Sequence, residues 1–546
     1  MTGIKPARRP IIKITLLILL TVLFTIIFQA NVDKEGRGQT FQDWYPSSLP
    51  FADSSVVLVT AVDSSPVLQS NNAVFHCAGK DDQNQIEVAI NSLPKTGGMV
   101  VLAAGTYQCS DDLHLNQRVK LIGMGEERTL LHFSAPADLV VREHDEVRDL
   151  KITGSTSLFI VESHVKIENV TMTVDQSKAA AFYVYADNRS LEDFSFQNCS
   201  ALNCGTHGFM NNGEGEQSRI SYIRYSNCRA VNAGLNTRYD PWTTGFDLTE
   251  LVDLEHCRVY NCTAEGSWES GFHIEESPKK VDVVLENCVS LRNGQKQSVT
   301  PPKFGAGFLL SGDTQAINCT SDGNYNGYLC FTGARLLKCC DRGSEIAYDI
   351  VDHSDVTIQN CRSVLAHGRA LNVINASDVI IEEFTVVNPG RNTDPIIELG
   401  STTTLIEKIS LNCSVDCAGT GRQIRIINGI EIILSGDIKT AADHAISIEG
   451  ASTVGIIFSD LLILSSAQSS DSTGVQISSD VVNAHTVRFV QGLIASTPPS
   501  QGLAFGVNNR ASGPMKVQGV LTSDVAVPFN NCYVPKGAGP SFVYYG

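Results

Sequence analysis

Residues 226–234 read SNCRAVNAG, and the phrase returns as QNCSALNCG (197–205), EHCRVYNCT (255–263), ENCVSLRNG (286–294), INCTSDGNY (317–325), KCCDRGSEI (338–346) and QNCRSVLAH (359–367). Aligned on one column, Cys199, Cys228, Cys257, Cys288, Cys319, Cys340 and Cys361 recur at spacings of 29, 29, 31, 31, 21 and 21 residues. A period of this size marks a repeat architecture, in which each unit buries its apolar face only by stacking on its neighbours. Before the cysteines stand short runs such as FSFQN, IRYSN, VDVVLEN and VTIQN, where branched or aromatic residues alternate with polar ones in the period of a strand. The expected fold is therefore all-β, a parallel β-helix whose coils stack about 4.8 Å apart. The cysteines would form an inert interior ladder, and Asn198, Asn227, Asn287, Asn318 and Asn360 a second ladder at a turn. Cys413 with Cys417, and Cys77 with Cys109, are the candidates for a crosslink.

Working outward, strand patterns continue in DVIIEEFTVV, GIEIILSG, VGIIFSDLLIL and HTVRFVQGLI, so the β-helix is expected over 70–495, with final coils and a cap over 496–546. In DDQNQIEVAINSLP (81–94), Ile86, Val88, Ala89 and Leu93 share one face and a proline follows, which predicts a capping helix near 82–93. The chain begins MTGIKPARRPIIKITLLILLTVLFTIIFQA: a basic flank, then an apolar or threonine run from Ile14 to Phe28. That pattern predicts a short cytoplasmic tail (1–10), a transmembrane signal-anchor (11–30) and a polar leading segment (31–69). The rest would lie outside the cell at the cell membrane, the alternative being a cleaved, secreted chain. Sequons at Asn169, Asn188, Asn198, Asn261, Asn318, Asn375 and Asn412 favour exposure outside the cell. A formal charge of −17 over 546 residues argues against nucleic acid as a partner.

The segment 77–133, CAGKDDQNQIEVAINSLPKTGGMVVLAAGTYQCSDDLHLNQRVKLIGMGEERTLLHF, resembles the opening of the pectate-lyase-like superfamily. The resemblance lies in an acidic turn before a helix, a Gly-Gly turn, a strand ending near Gly-Thr-Tyr, and a Gly-x-Gly turn. It implies a right-handed parallel β-helix, in a superfamily that includes polysaccharide lyases, glycoside hydrolases, uronan epimerases, tailspikes and noncatalytic surface proteins.

After the cysteines, HGFM, TGFDL, SGFHI, AGFLL and NGYLC begin a second strand. The distances from cysteine to glycine, 9, 17, 14, 19 and 8 residues, place insertions in three consecutive coils on one edge. Those insertions carry Tyr239, Trp242 and Trp268. If Phe246 and Phe272 point inward, then Asp247, Thr249, His273 and Glu275 point outward, Asp247 beside His273 and Thr249 beside Glu275. Glu250 would end the strand. This is a candidate acid/base site made of Asp247, His273, Glu275, Tyr239 and Glu250, with Trp242, Trp268, His207, Asn212, Arg238 and Lys303 as binding residues.

The phrase GFDLTE is also similar to the mannuronan C5-epimerase motif Gly-Phe-Asp-Pro-His-Glu. Gly245, Phe246, Asp247 and Glu250 match, whereas Leu248, Thr249 and Thr244 replace that family's proline, histidine and tyrosine, and Glu275 stands where its next coil has an aspartate. The resemblance implies carbohydrate chemistry. The expected function is a membrane-anchored protein that binds a polysaccharide or cell-surface glycan, with lyase or epimerase chemistry on uronates. A divalent cation such as calcium is a candidate cofactor. Hydrolysis by paired carboxylates and a noncatalytic adhesion role are the alternatives.

Overall fold

In a computed structural model, the protein is described over residues 55–534 apart from 70–74, 176–179, 235–241, 277–278, 295–304, 388, 391–394, 418–421, 468 and 498–502. Strands run from Val56–Thr60 to Cys532–Tyr533, and the paired strands are parallel. Each coil contributes strands that pair with their counterparts one coil on, as Ser190–Gln197 does with Arg219–Ser226, Ser200–Leu202 with Arg229–Val231, and Ala180–Asp187 with His207–Glu214. This is the stacked-coil arrangement that the repeat predicts.

The interior is a set of ladders. Phe182, Phe209, Phe246, Phe272, Phe308, Tyr328 and Tyr348 stack face to face, with successive ring centroids 4.6, 4.6, 4.8, 5.0, 5.0 and 5.0 Å apart. Those distances match the strand spacing, so every ring keeps its neighbours at van der Waals contact. The glycine before five of these aromatics, with alanine before Phe182 and Tyr348, follows from the same crowding. A Cβ on Gly271 would lie 2.4 Å from Ser290 Oγ and 2.7 Å from the Gly307 carbonyl, and one on Gly245 2.8 Å from the Gly271 carbonyl. The Gly-Phe pair therefore belongs to packing, not to chemistry.

The cysteine ladder exists, but its register differs from the sequence alignment. Ser226 pairs with Tyr260, Tyr260 with Glu286, Ile317 with Leu337, and Leu337 with Gln359. The column is therefore Cys199, Cys228, Cys262, Cys288, Cys319, Cys339 and Cys361. Cys262 and Cys339 replace Cys257 and Cys340. The Cys228 N–H points to the sulfur of Cys262 at 3.4 Å, 34 residues on. The register is set by the residue before the cysteine. Asn198, Asn227, Asn261, Asn287, Asn318 and Asn360 all have φ between 52° and 55°, a left-handed conformation that asparagine tolerates because its side chain bonds locally. Asn227 Nδ2 donates to Asn198 Oδ1 (3.2 Å), Asn261 Nδ2 to Asn227 Oδ1 (2.7 Å) and Asn318 Nδ2 to Asn287 Oδ1 (2.6 Å). Asn261, not His256, occupies this position. All sixteen cysteines are free, so neither Cys413 with Cys417 nor Cys77 with Cys109 forms a crosslink.

The capping helix is Asp82–Asn91, entered through Asp81 in the left-handed region. It buries Ile86, Ala89 and Ile90, while Val88, expected inside, is exposed. Asp82 fastens it to the first coils by accepting from Gly79 N (2.9 Å) and Gln108 N (2.8 Å).

The expected transmembrane helix requires correction. No helix among the described residues is long and apolar enough to cross a membrane. The capping helix has ten residues, where about 20 apolar ones are needed. Residues 11–30 lie outside the described residues. The architecture stands as a β-helix with a capping helix, and the membrane anchor, the membrane as partner and the single-pass cell-membrane location are withdrawn with it.

Candidate functional site

The new register changes the edge on which insertions were expected. Gly271 comes only nine positions after Cys262, so the coil carrying Trp268 has the ordinary length. The surplus lies before Gly245 and Gly307, largely within 235–241 and 295–304, outside the described residues. Tyr239, Arg238 and Lys303 lie there too. Trp242 is exposed and Trp268 half-buried, its indole N–H buried without a hydrogen bond.

Asp247, on the strand Phe246–Glu250, pairs in register with His273 on Phe272–His273 of the next coil. Glu275 N donates to Thr249 Oγ1 at 2.7 Å, so both expected neighbour relationships are present. A bulge after Met210 sets Glu250, rather than Thr249, opposite Asn212 and turns Thr249 into the interior. The outcome is a layered cluster. His207, Asp247, Glu269 and His273 are at most 5% exposed, while Glu250 and Glu275 form its half-exposed rim.

His273 links the layers: Nε2 is 3.1 Å from Glu275 Oε1, and Nδ1 is 3.8 Å from Glu269 Oε1. Burial alone would push its pKa down. The bond to Glu275 and the charges of Asp247 and Glu269 outweigh it and raise the imidazole to about 9. The same bond holds Glu275 below the usual carboxylate range. Asp247 is shifted up, burial outweighing the pull of His273 and His207; its Oδ1 has no hydrogen-bond partner. Glu250 is also raised, by burial and then by the charges of Asp247 and Glu275. His207 Nδ1 lies 3.6 Å from Asp247 Oδ2 and 3.3 Å from Thr244 N. Asn212 donates to the Tyr183 hydroxyl at 3.2 Å.

Two residues the sequence reading missed complete the cluster. Glu269 sits at the bend before its strand, where alternation gives no direction. Lys280 comes back from the following strand and donates to the carbonyls of Glu275 and Glu276, and burial lowers its pKa to about 8. Its ammonium is thus engaged by backbone. A lyase or epimerase acting on uronates needs a cation for the substrate carboxylate. Among the described residues the rim offers no other lysine or arginine, and Arg238 and Lys303 lie outside them.

Elsewhere, Glu143, His144 and His164 bring ligand atoms within 4.8 Å of one another, a group able to coordinate a metal ion. The two imidazoles stack at 4.6 Å, and His164 Nδ1 lies 3.1 Å from Asp193 Oδ2.

Residues 78–265 match the family described as rhamnogalacturonase A/epimerase, pectate lyase-like. None of the curated protein sequences matches the chain. Among solved structures, the A-module of the Azotobacter vinelandii mannuronan C-5 epimerase AlgE4 shares 15% identity over 86% of this chain and 98% of its own, with a TM-score of 0.35. The N-terminal fragment of bacteriophage Phi29 gene product 12 shares 13% over 82% and 83%, with a TM-score of 0.41. The catalytic domain of a GH87 α-1,3-glucanase shares 13% over 86% and 66%, with a TM-score of 0.24. The segment match supports a pectate-lyase-like β-helix assignment for residues 78–265, and the stacked parallel coils continue beyond that segment.

Proposed function

We propose that the protein is a glycoside hydrolase that cleaves a polysaccharide between Glu250 and Glu275. The observation that carries this reading is a pair of half-exposed carboxylates on adjacent coils with opposite surroundings. Glu275 is bonded to the His273 imidazole at 3.1 Å. Glu250 has no cation within ion-pairing distance among the described residues, and it faces the buried Asp247. Environments that push two carboxyl groups apart assign an acid and a base. Glu250 is the proton donor to the leaving glycosidic oxygen, and Glu275 is the ionised partner that activates water or attacks the anomeric carbon. Burial and then the charge of Asp247 favour the protonated form of Glu250, and the bond to His273 favours the ionised form of Glu275. The matched family's description, naming a rhamnogalacturonase, supports a polysaccharide substrate.

No step needs a metal. The group at Glu143, His144 and His164 offers two imidazoles and one carboxylate, a donor set for a zinc-like cation rather than the six to eight oxygens that calcium takes. A panel of neutral and pectic polysaccharides, assayed for new reducing ends with the wild type and with Glu250→Gln and Glu275→Gln, tests the proposal. Turnover unchanged in both variants, or absent from the whole panel with the wild type, would overturn it.

A further inference from the structure

The outward column that holds Asp247 continues toward the N-terminus as Met210, Tyr183 and Phe159. The parallel column that holds Glu250 continues as Asn212 and Tyr185. Phe159, Tyr183 and Tyr185 form one aromatic surface, with centroids 5.2 Å (Phe159 to Tyr183), 6.0 Å (Phe159 to Tyr185) and 5.8 Å (Tyr183 to Tyr185) apart. All three are half-buried, whereas the aromatics of the interior ladder are fully buried. The polar edges of the two tyrosines are fixed to the protein: Tyr183 accepts from Asn212 Nδ2, and Tyr185 donates to Glu214 Oε2 at 2.9 Å. Being half-buried, the three rings keep part of their surface for a ligand. In the other direction the column runs into Leu309 and Leu329, which are 1% and 4% exposed and packed with Ala306 and Phe331. The two sides of the acid pair thus differ, with accessible aromatic faces toward the N-terminus and a covered aliphatic patch toward the C-terminus.

We propose that Phe159, Tyr183 and Tyr185 form a stacking platform for neutral sugar residues on the N-terminal side of Glu250 and Glu275. The assignment rests on placing bond cleavage at those two glutamates. Tyr183 lies two rungs from Asp247, and Tyr185 two rungs from Glu250. At a rung of about 4.8 Å this is ~10 Å along the axis, a span that a short oligosaccharide bridges. Aromatic faces recognise the C–H faces of pyranose rings without needing charge. The sign of the local field selects among sugars. Apart from Glu250, the carboxylates that act on the two phenols are Asp138 on Tyr183 and Glu214 and Asp187 on Tyr185, Glu214 by a direct hydrogen bond. A uronate seated there would meet like charge from these carboxylates, whereas a neutral hexose or deoxyhexose would not.

The experiment is calorimetric binding of two probes, a neutral β-glucan hexasaccharide and a hexagalacturonate, to full-length Glu250→Gln, in which binding is read without turnover. The neutral probe should bind at least tenfold more tightly, with little dependence on salt. Phe159→Ala combined with Tyr183→Ala in that background should weaken it tenfold or more. Tyr183→Phe, which keeps the ring and loses only the Asn212 bond, should stay within about threefold and shows that the double variant's loss is one of stacking. Equal or tighter binding of hexagalacturonate, unchanged affinity in the double variant, or no binding of the neutral probe would overturn the platform. Because these readouts do not use catalysis, the platform can fail while Glu250→Gln still abolishes turnover. Conversely, the platform stands if binding behaves as stated and turnover survives the substitution.

Discussion

His273 Nε2 and Glu275 Oε1 lie 3.1 Å apart, and the contact joins a buried imidazole to a carboxylate on the site's rim. It fixes two protonation states at once, because each partner favours the charged form of the other. The folded-state pKa of His273, about 9, is above its ordinary 6.5. Its contribution to stability is therefore complete below about pH 6.5 and is lost as pH rises through 9. Urea unfolding between pH 6 and 10 should show this loss, on the order of a few kcal/mol. His273→Gln should flatten the curve over that window, and a wild-type curve already flat there would contradict the linkage.

Hydrolysis requires Glu275 ionised and Glu250 protonated. The first is held below 4.5 and the second above it, so activity should follow a bell whose acid limb belongs to Glu275 and whose alkaline limb belongs to Glu250. Replacing His273 with glutamine should move the acid limb upward, since Glu275 then loses its bond. Replacing Asp247 with asparagine should move the alkaline limb downward, since its charge no longer favours the protonated Glu250. Initial rates across pH 3 to 9 read both shifts, and limbs that stay in place would remove these residues from tuning the pair.

The register places Cys340 half-exposed beside the buried Cys339. A thiol reagent applied to the native protein should therefore modify Cys340 and Cys532, and leave Cys339 and the other ladder cysteines protected until urea is added. Peptide mapping distinguishes the two adjacent positions by comparison with Cys340→Ser. Protection of Cys340 with modification of Cys339 would restore the alignment read from the sequence.

Gly271→Ala should destabilise by about 1–3 kcal/mol, because the added methyl meets Ser290, Gly307 and Asn293 in a close-packed interior. Gly125→Ala makes a useful contrast: its methyl meets nothing, although its φ of 118° is unfavourable for alanine. Thermal unfolding of both separates interior crowding from backbone strain. A Gly271→Ala midpoint equal to wild type would show that the interior yields.

The fold was legible because a repeat writes the same physical requirement many times. The Asn-Cys phrases mark a left-handed turn and the Gly-Phe phrases a position too crowded for a large side chain. The register was less legible in two coils, since EHCRVYNCT and KCCDRGSEI each offer two cysteines and the alignment took the wrong one in both. The asparagine before Cys262 was the better guide, because its side chain continues the turn ladder by donating to Asn227. Alternation correctly paired Asp247 with His273 and Thr249 with Glu275. It could not show the bulge that carries Glu250 outward, nor Glu269 and Lys280, which reach the cluster from a bend and from the next strand. Burial, which separates the rim carboxylates from those behind them, is a property of the folded chain and has no local signature.

The most direct test of the central claim is the chemical nature of the new chain ends. Incubation of the wild type with the polysaccharide panel should yield new reducing ends, with no ultraviolet absorbance from unsaturated uronates and no change in C5 configuration. Glu250→Gln and Glu275→Gln should each lower the rate by about 10²–10⁴-fold, as expected for loss of a proton-transfer group. Unsaturated ends, C5 inversion without cleavage, or full activity in either variant would contradict hydrolysis by this pair.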